Sequence, residues 1–133
     1  MNFSLGNLNP WKKKAIEQVT KDRREIILRL FRAVVFDTPV LEGTLRGNWQ
    51  CSMMSPITGP ISKRVGNQVM AEIQSVLNGS KLEDTIYLRN NMPYAYGIEY
   101  YGWSKVKAPQ GMVRKNIMRL DRIAAAVARS SRL

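Results

Sequence analysis

The ten acidic side chains are the groups in this sequence that could act as general acids, general bases or metal ligands. They are Glu17, Asp22, Glu25, Asp37, Glu42, Glu72, Glu83, Asp84, Glu99 and Asp121. Glu83 and Asp84 are the one adjacent pair. Neighbours in sequence diverge by about 100° on a helix and point to opposite faces on a strand, so adjacency does not converge them on a substrate. Histidine is absent and Cys51 is the single cysteine. That excludes a Ser-His-Asp triad and a Cys-His pair within the chain, along with the commonest zinc ligand. No EF-hand loop, P-loop or dinucleotide fingerprint is present. A metal-dependent nuclease built from scattered carboxylates would leave little local signature and stays open. The expectation is a protein that is not an enzyme and has no catalytic, cofactor-binding or metal residues. One cysteine also rules out an internal disulfide and suits a reducing cytoplasm.

Two other groups of residues could do binding rather than catalysis. The first is the segment Asn90–Ser104, which holds Tyr94, Tyr96, Tyr100, Tyr101 and Trp103 within fifteen residues. A core cluster is one reading. An interface is another, because these rings are apolar at one end and hydrogen-bonding at the other. Stacking on single-stranded nucleic acid is a third, but it calls for basic residues between the rings, and the block has no Lys or Arg. Glu99 inside this block would need a partner if buried, with Arg46 or Arg89 as candidates.

The second group is the basic charge, +11 in all. Residues 10–36 carry eight Lys/Arg against three Asp/Glu, residues 37–102 five against six, and residues 103–133 eight against one. The two ends are basic and the middle is neutral. Either the basic faces are simply solvated, or they meet DNA or an acidic neighbour. No helix-turn-helix or zinc module appears, so any DNA contact should be to phosphate and independent of sequence.

The elements that position these residues can be read from periodicity. At 133 residues the chain favours a single domain over 10–133, preceded by a flexible arm, 1–9. Asn9-Pro10 is a helix start, and the helix should run to Phe36. Ile16, Val19, Ile26, Ile27, Leu30 and Val34 share one face; Lys14, Lys21, Glu25 and Arg32 share the other. Arg23 lies within the apolar arc and would either snorkel outward or mark a contact with another subunit. Thr38-Pro39 ends the helix. A turn and then a strand, Asn48–Met54, should follow, with a mobile loop over 55–67. Val69, Ile73, Val76 and Leu77 fit a helix, though a strand also fits. Thr85–Arg89 alternates like a strand. Pro93–Tyr100 suits a short helical turn. Met112–Ala128 reads as one amphipathic helix, with Val113, Ile117, Leu120, Ala124 and Val127 on the apolar side and Lys115, Arg119, Arg122 and Arg129 on the basic side. The expected class is therefore α+β: a long N-terminal helix, a small mostly antiparallel sheet with an inserted helix, and a basic C-terminal helix. No stretch is long and apolar enough to span a bilayer, so no membrane partner is expected.

Three stretches resemble a known family. Thr38-Pro39-Val40 followed by Gly43-Thr44-Leu45-Arg46-Gly47-Asn48-Trp49 is similar to the "TPVDTGxLRGSW" element of the tail-completion or neck proteins of tailed bacteriophages, the lambda-like minor tail protein Z family. Asn90-Asn91-Met92-Pro93-Tyr94-Ala95 with Glu99-Tyr100 resembles its "NNLPYA…LEYG" element. Gly102-Trp103-Ser104, Ala108-Pro109 and Gly111-Met112-Val113-Arg114 resemble its "GxSxQAPxGMVR" element. The three occur in the family's order across residues 38–114. Leu41-Glu42 replaces an Asp-Thr in that pattern, and Tyr100-Tyr101-Gly102 is one residue longer than its Glu-Tyr-Gly.

The resemblance implies a virion protein of the head–tail junction, assembled in the host bacterial cytoplasm. Copies would form a ring, expected to be a hexamer. The ring would cap the tail and join neighbouring neck, connector or tail-tube proteins. A tail terminator or a non-specific DNA-binding accessory protein is the alternative. On this reading Trp49 and the Tyr94–Trp103 aromatics form a platform for contacts between copies, Gly43 and Gly102 permit tight turns, and Arg46 pairs with a carboxylate. The basic helix face, Lys115, Arg119, Arg122 and Arg129, would meet the neighbouring ring or genomic DNA.

Overall fold

A computed structural model describes residues 10–40, 43–61, 64–101 and 111–131. The expected arm over 1–9, Leu41-Glu42 and the stretch 102–110, which contains Gly102, Trp103, Ser104 and Pro109, lie outside the described residues.

The fold is α+β. Helix α1, Pro10–Asp37, is 28 residues long, or about 42 Å at 1.5 Å per residue. Helix α2 (Thr44–Gly47) and strand β1 (Trp49–Met53) follow. Helix α3 (Gly66–Asn78) then separates β1 from strand β2 (Ile86–Asn90). Three helices close the chain: α4 (Ala95–Tyr100), α5 (Val113–Ile117) and α6 (Leu120–Ser130). The strands pair antiparallel, Trp49 opposite Asn90 and Met53 opposite Ile86.

The ambiguous segment is a helix because Val69, Ile73 and Leu77 recur every four residues, and all three are fully buried against α1 and β1. Each stabilises by about 1.5–3 kcal/mol through apolar burial. Helix α3 ends where Ser80 donates both its N–H and its hydroxyl to the Leu77 carbonyl, at 3.0 and 2.7 Å. Val34, Val35, Leu45, Trp49 and Met112 complete the core.

Four expectations need correction. The turn after Pro39 contains a short helix, α2, entered through Gly43 at φ +82°. The loop after β1 is strapped down in its described part rather than loose. Asn48 Oδ1 accepts the Ile61 N–H at 2.8 Å, Gln50 Nε2 donates to the Gly59 carbonyl at 2.9 Å, and Asn91 Nδ2 to that of Ile57 at 3.0 Å. The C-terminal helix is two helices. The α-pattern breaks at Met118-Arg119, where the Arg119 N–H turns back to the Asn116 carbonyl three residues earlier. Arg23, expected to snorkel outward or mark a contact with another subunit, finds partners within its own chain. Its guanidinium donates to the carbonyls of Lys81 and Asp84 and docks the α3–β2 loop on α1.

Helix α6 runs antiparallel to α1. At one end Gln18 Nε2 donates to Ser131 Oγ at 2.8 Å, and Ser131 donates to Asp22 at 2.9 Å. At the other, Asn116 of α5 donates to Asp37 at 2.9 Å. Among the described residues no helix is long and apolar enough to cross a membrane.

Candidate interaction site at the C-terminal end of α1

The first motif builds the end of α1. The Thr38 hydroxyl donates to the Val34 carbonyl at 2.7 Å and accepts the buried Trp49 Nε1–H at 2.8 Å. Pro39 keeps Thr38 out of a continuing helix. Arg46 then donates to the Phe36 and Thr38 carbonyls at 2.8 and 3.0 Å, with its guanidinium 5.3 Å from the Phe36 ring centre. A cation on the last carbonyls of a helix also meets the negative end of its dipole. Arg46 therefore pairs with carbonyls, which corrects the expected carboxylate. Leu45 is in the core, and Asn90 Nδ2 donates to its carbonyl at 2.7 Å. Trp49 is 5% exposed and offers no surface to another copy, so its expected place in an intersubunit platform does not hold.

The second and third motifs meet at Glu99. Its carboxylate accepts the backbone N–H groups of Met112, Val113 (3.1 Å) and Arg114 (2.8 Å), and faces Arg114 Nε at 3.4 Å. The expected partners Arg46 and Arg89 are not used. Burial pushes the Glu99 carboxyl up, but the three backbone donors and the Arg114 charge outweigh it and hold the carboxyl below its usual range. Gly111, at φ +81°, gives the chain the turn that brings those donors round. Met112 packs in the core.

Glu99 thereby fixes α4 on α5, and α4 carries a cluster of exposed rings. Tyr96 stands 4.6 Å from Tyr100 and 5.5 Å from Tyr101, centre to centre. The three are 60%, 52% and 65% exposed. The Arg114 guanidinium lies 4.9 Å above the Tyr100 ring. Pro93 and Tyr94 are also exposed, while Ala95 packs against the core. The cluster of rings is attached to a rigid mount by one buried carboxylate.

Two anchoring groups were not foreseen. Asp37, at the end of α1, accepts from Asn116 and faces Lys115 Nζ at 3.4 Å and Arg119 at 3.8 Å. Two of the four cations on the expected basic face thus lie beside the half-buried Asp37, and Arg119, Arg122 and Arg129 all remain exposed. The available signal was Asp37 itself, since an acid at a helix C-terminus is disfavoured by the dipole unless cations answer it. The other group is Arg64 with Glu72, 2.8 Å apart. Glu72 accepts the Cys51 N–H at 2.8 Å and Arg64 donates to the Trp49 carbonyl at 2.7 Å. Together they cover the side of β1 that faces away from β2. Their spacing of eight residues across a loop carries no sequence signature. Among the described residues, no three His, Cys, Asp or Glu side chains are grouped to hold a metal ion.

No protein-family model matches the chain, and neither a curated protein nor a solved structure is detectably similar to it.

Proposed function

We propose that this protein is a structural subunit of the head–tail junction of a tailed bacteriophage. Copies form a closed ring that caps the tail and meets the head connector. The observation that carries the reading is where the family-like residues lie. Thr38, Arg46 and Trp49 build one end of α1. Glu99, Gly111, Met112 and Arg114 hold α4 close by, with its tyrosines outward. A contiguous patch of exposed aromatics beside a guanidinium is the composition favoured at protein interfaces. In a ring of identical subunits such a patch meets a different patch on the next copy.

The test is assembly of phage particles lacking this protein, viewed by negative-stain microscopy. Filled heads separate from their tails, or over-long tails, are expected. Normal infectious particles would overturn the proposal.

A further inference from the structure

We infer that the opposite end of the α1–α6 pair is a surface for duplex DNA, bound through phosphates and without regard to sequence. Two hydrogen bonds locate it: Gln18 to Ser131 and Ser131 to Asp22 bring the start of α1 beside the end of α6. Lys14 and Lys21 lie one turn before and one turn after Gln18, and Arg129 two residues before Ser131. All three are exposed, as is Lys13. Asp37 engages Lys115 and Arg119 at the far end, whereas here Lys13, Lys14, Lys21 and Arg129 outnumber the carboxylates beside them, Glu17 and Asp22.

A second copy has few carboxylates to offer this end. Of the acidic side chains among the described residues, Glu25, Asp37, Glu72 and Glu99 are paired with cations within the chain, while Asp22 and Asp84 accept hydrogen bonds from neutral groups. Glu17, Glu83 and Asp121 remain, against a net charge of +11. The excess of positive charge favours a different, anionic molecule as the source of counter-charge. Lysine is depleted in protein–protein interfaces, whereas spaced point charges on flexible stems suit a phosphate lattice. That favours nucleic acid over an acidic protein. The inference does not depend on the ring, because the tyrosine cluster sits at the other end of α1.

The experiment is fluorescence anisotropy of the full chain with two 20-base-pair duplexes of unrelated sequence, titrated across 50–200 mM salt. Both duplexes should bind equally, with affinity falling steeply as salt rises. The triple variant Lys14→Gln/Lys21→Gln/Arg129→Gln should reduce the log–log salt slope by about 3 and lower affinity at least tenfold at about 100 mM salt. A control, Arg32→Gln/Arg89→Gln, should leave the slope unchanged. Circular dichroism confirms that each variant is folded. The inference is overturned by no duplex binding, by a slope change below about 2, by an equal effect of the control, or by polyglutamate of matched charge binding as tightly as DNA.

Discussion

Gly111 lies directly against the side chain of Glu99. A β-carbon added to Gly111 would stand 2.7 Å from the Glu99 carboxyl carbon, and the backbone there has φ +81°. Glycine is required twice over, for the left-handed turn and for the room the carboxylate takes. Gly111→Ala should destabilise the fold by at least about 2 kcal/mol, the sum of backbone strain and steric displacement. Urea unfolding measures it. Because the alanine would act through Glu99, its cost should be non-additive with that of Glu99→Gln.

Glu99 should also make stability depend on pH. Its carboxyl titrates lower in the folded protein than in the unfolded chain. The stabilisation it provides is therefore fully present above the unfolded value, near 4.5. It is lost as pH falls through the lower, folded value. Glu99→Gln should cost about 1.5–3 kcal/mol at neutral pH, since charge-assisted bonds to three backbone donors go. As pH falls below 4.5 and through the lower, folded value, the gap between variant and parent should narrow progressively. Denaturant midpoints from pH 7 to 3 test this, and a parallel loss in both proteins would refute it.

The Trp49–Thr38 bond fixes where α1 ends. Thr38→Val would leave the indole N–H buried without an acceptor, at a cost of about 1–3 kcal/mol. Removing the donor as well, in Thr38→Val/Trp49→Phe, should cost less than the two single changes added together. Thermal unfolding of the four proteins completes the cycle.

Most of the architecture could be read in advance because it rests on local rules. Pro39 stops α1 and β-branched alternation makes β2, while the four-residue recurrence Val69-Ile73-Leu77 fits α3 but leaves a strand open until its burial against α1 and β1 decides it. The break between α5 and α6 was not legible, since Ile117 and Leu120 continue the apolar period across it and yet Ile117 is 53% exposed. Tertiary ties set that boundary: Asn116 is fully buried on Asp37, seventy-nine residues away. The roles of the motif residues were misjudged for a similar reason. Arg46 and Trp49 carry charge and aromaticity, which sequence reading assigns to partners, but their acceptors are the carbonyls and the hydroxyl at the end of α1.

Cys51 should be chemically silent in the folded protein. It is 2% exposed, and burial together with the nearby Glu72 carboxylate pushes its thiol up to about 12. The thiolate is the reactive form, so almost none exists at neutral pH. A disulfide reagent should react at the rate of unfolding in the native protein and at once in denaturant. Prompt reaction with the native protein would contradict the burial of β1.

The tyrosine cluster separates association from folding. Tyr96 contacts Tyr100 and Tyr101, Arg114 rests on Tyr100, and the exposure of Tyr96 and Tyr101 means that polar replacements there uncover little core surface. Tyr96→Ser/Tyr101→Ser should change stability by less than about 1 kcal/mol. If these rings fill a pocket on a neighbouring copy, each is an aromatic anchor whose loss costs about 2 kcal/mol or more at every contact. A ring accumulates that loss at each interface, so the variant should sediment as a monomer at concentrations where the parent assembles. Tyr100 is better left in place, because the Arg114 guanidinium rests on it and also faces Glu99. Analytical ultracentrifugation beside thermal unfolding reads both quantities. Unaltered assembly by a stable variant would move the contact between copies away from α4.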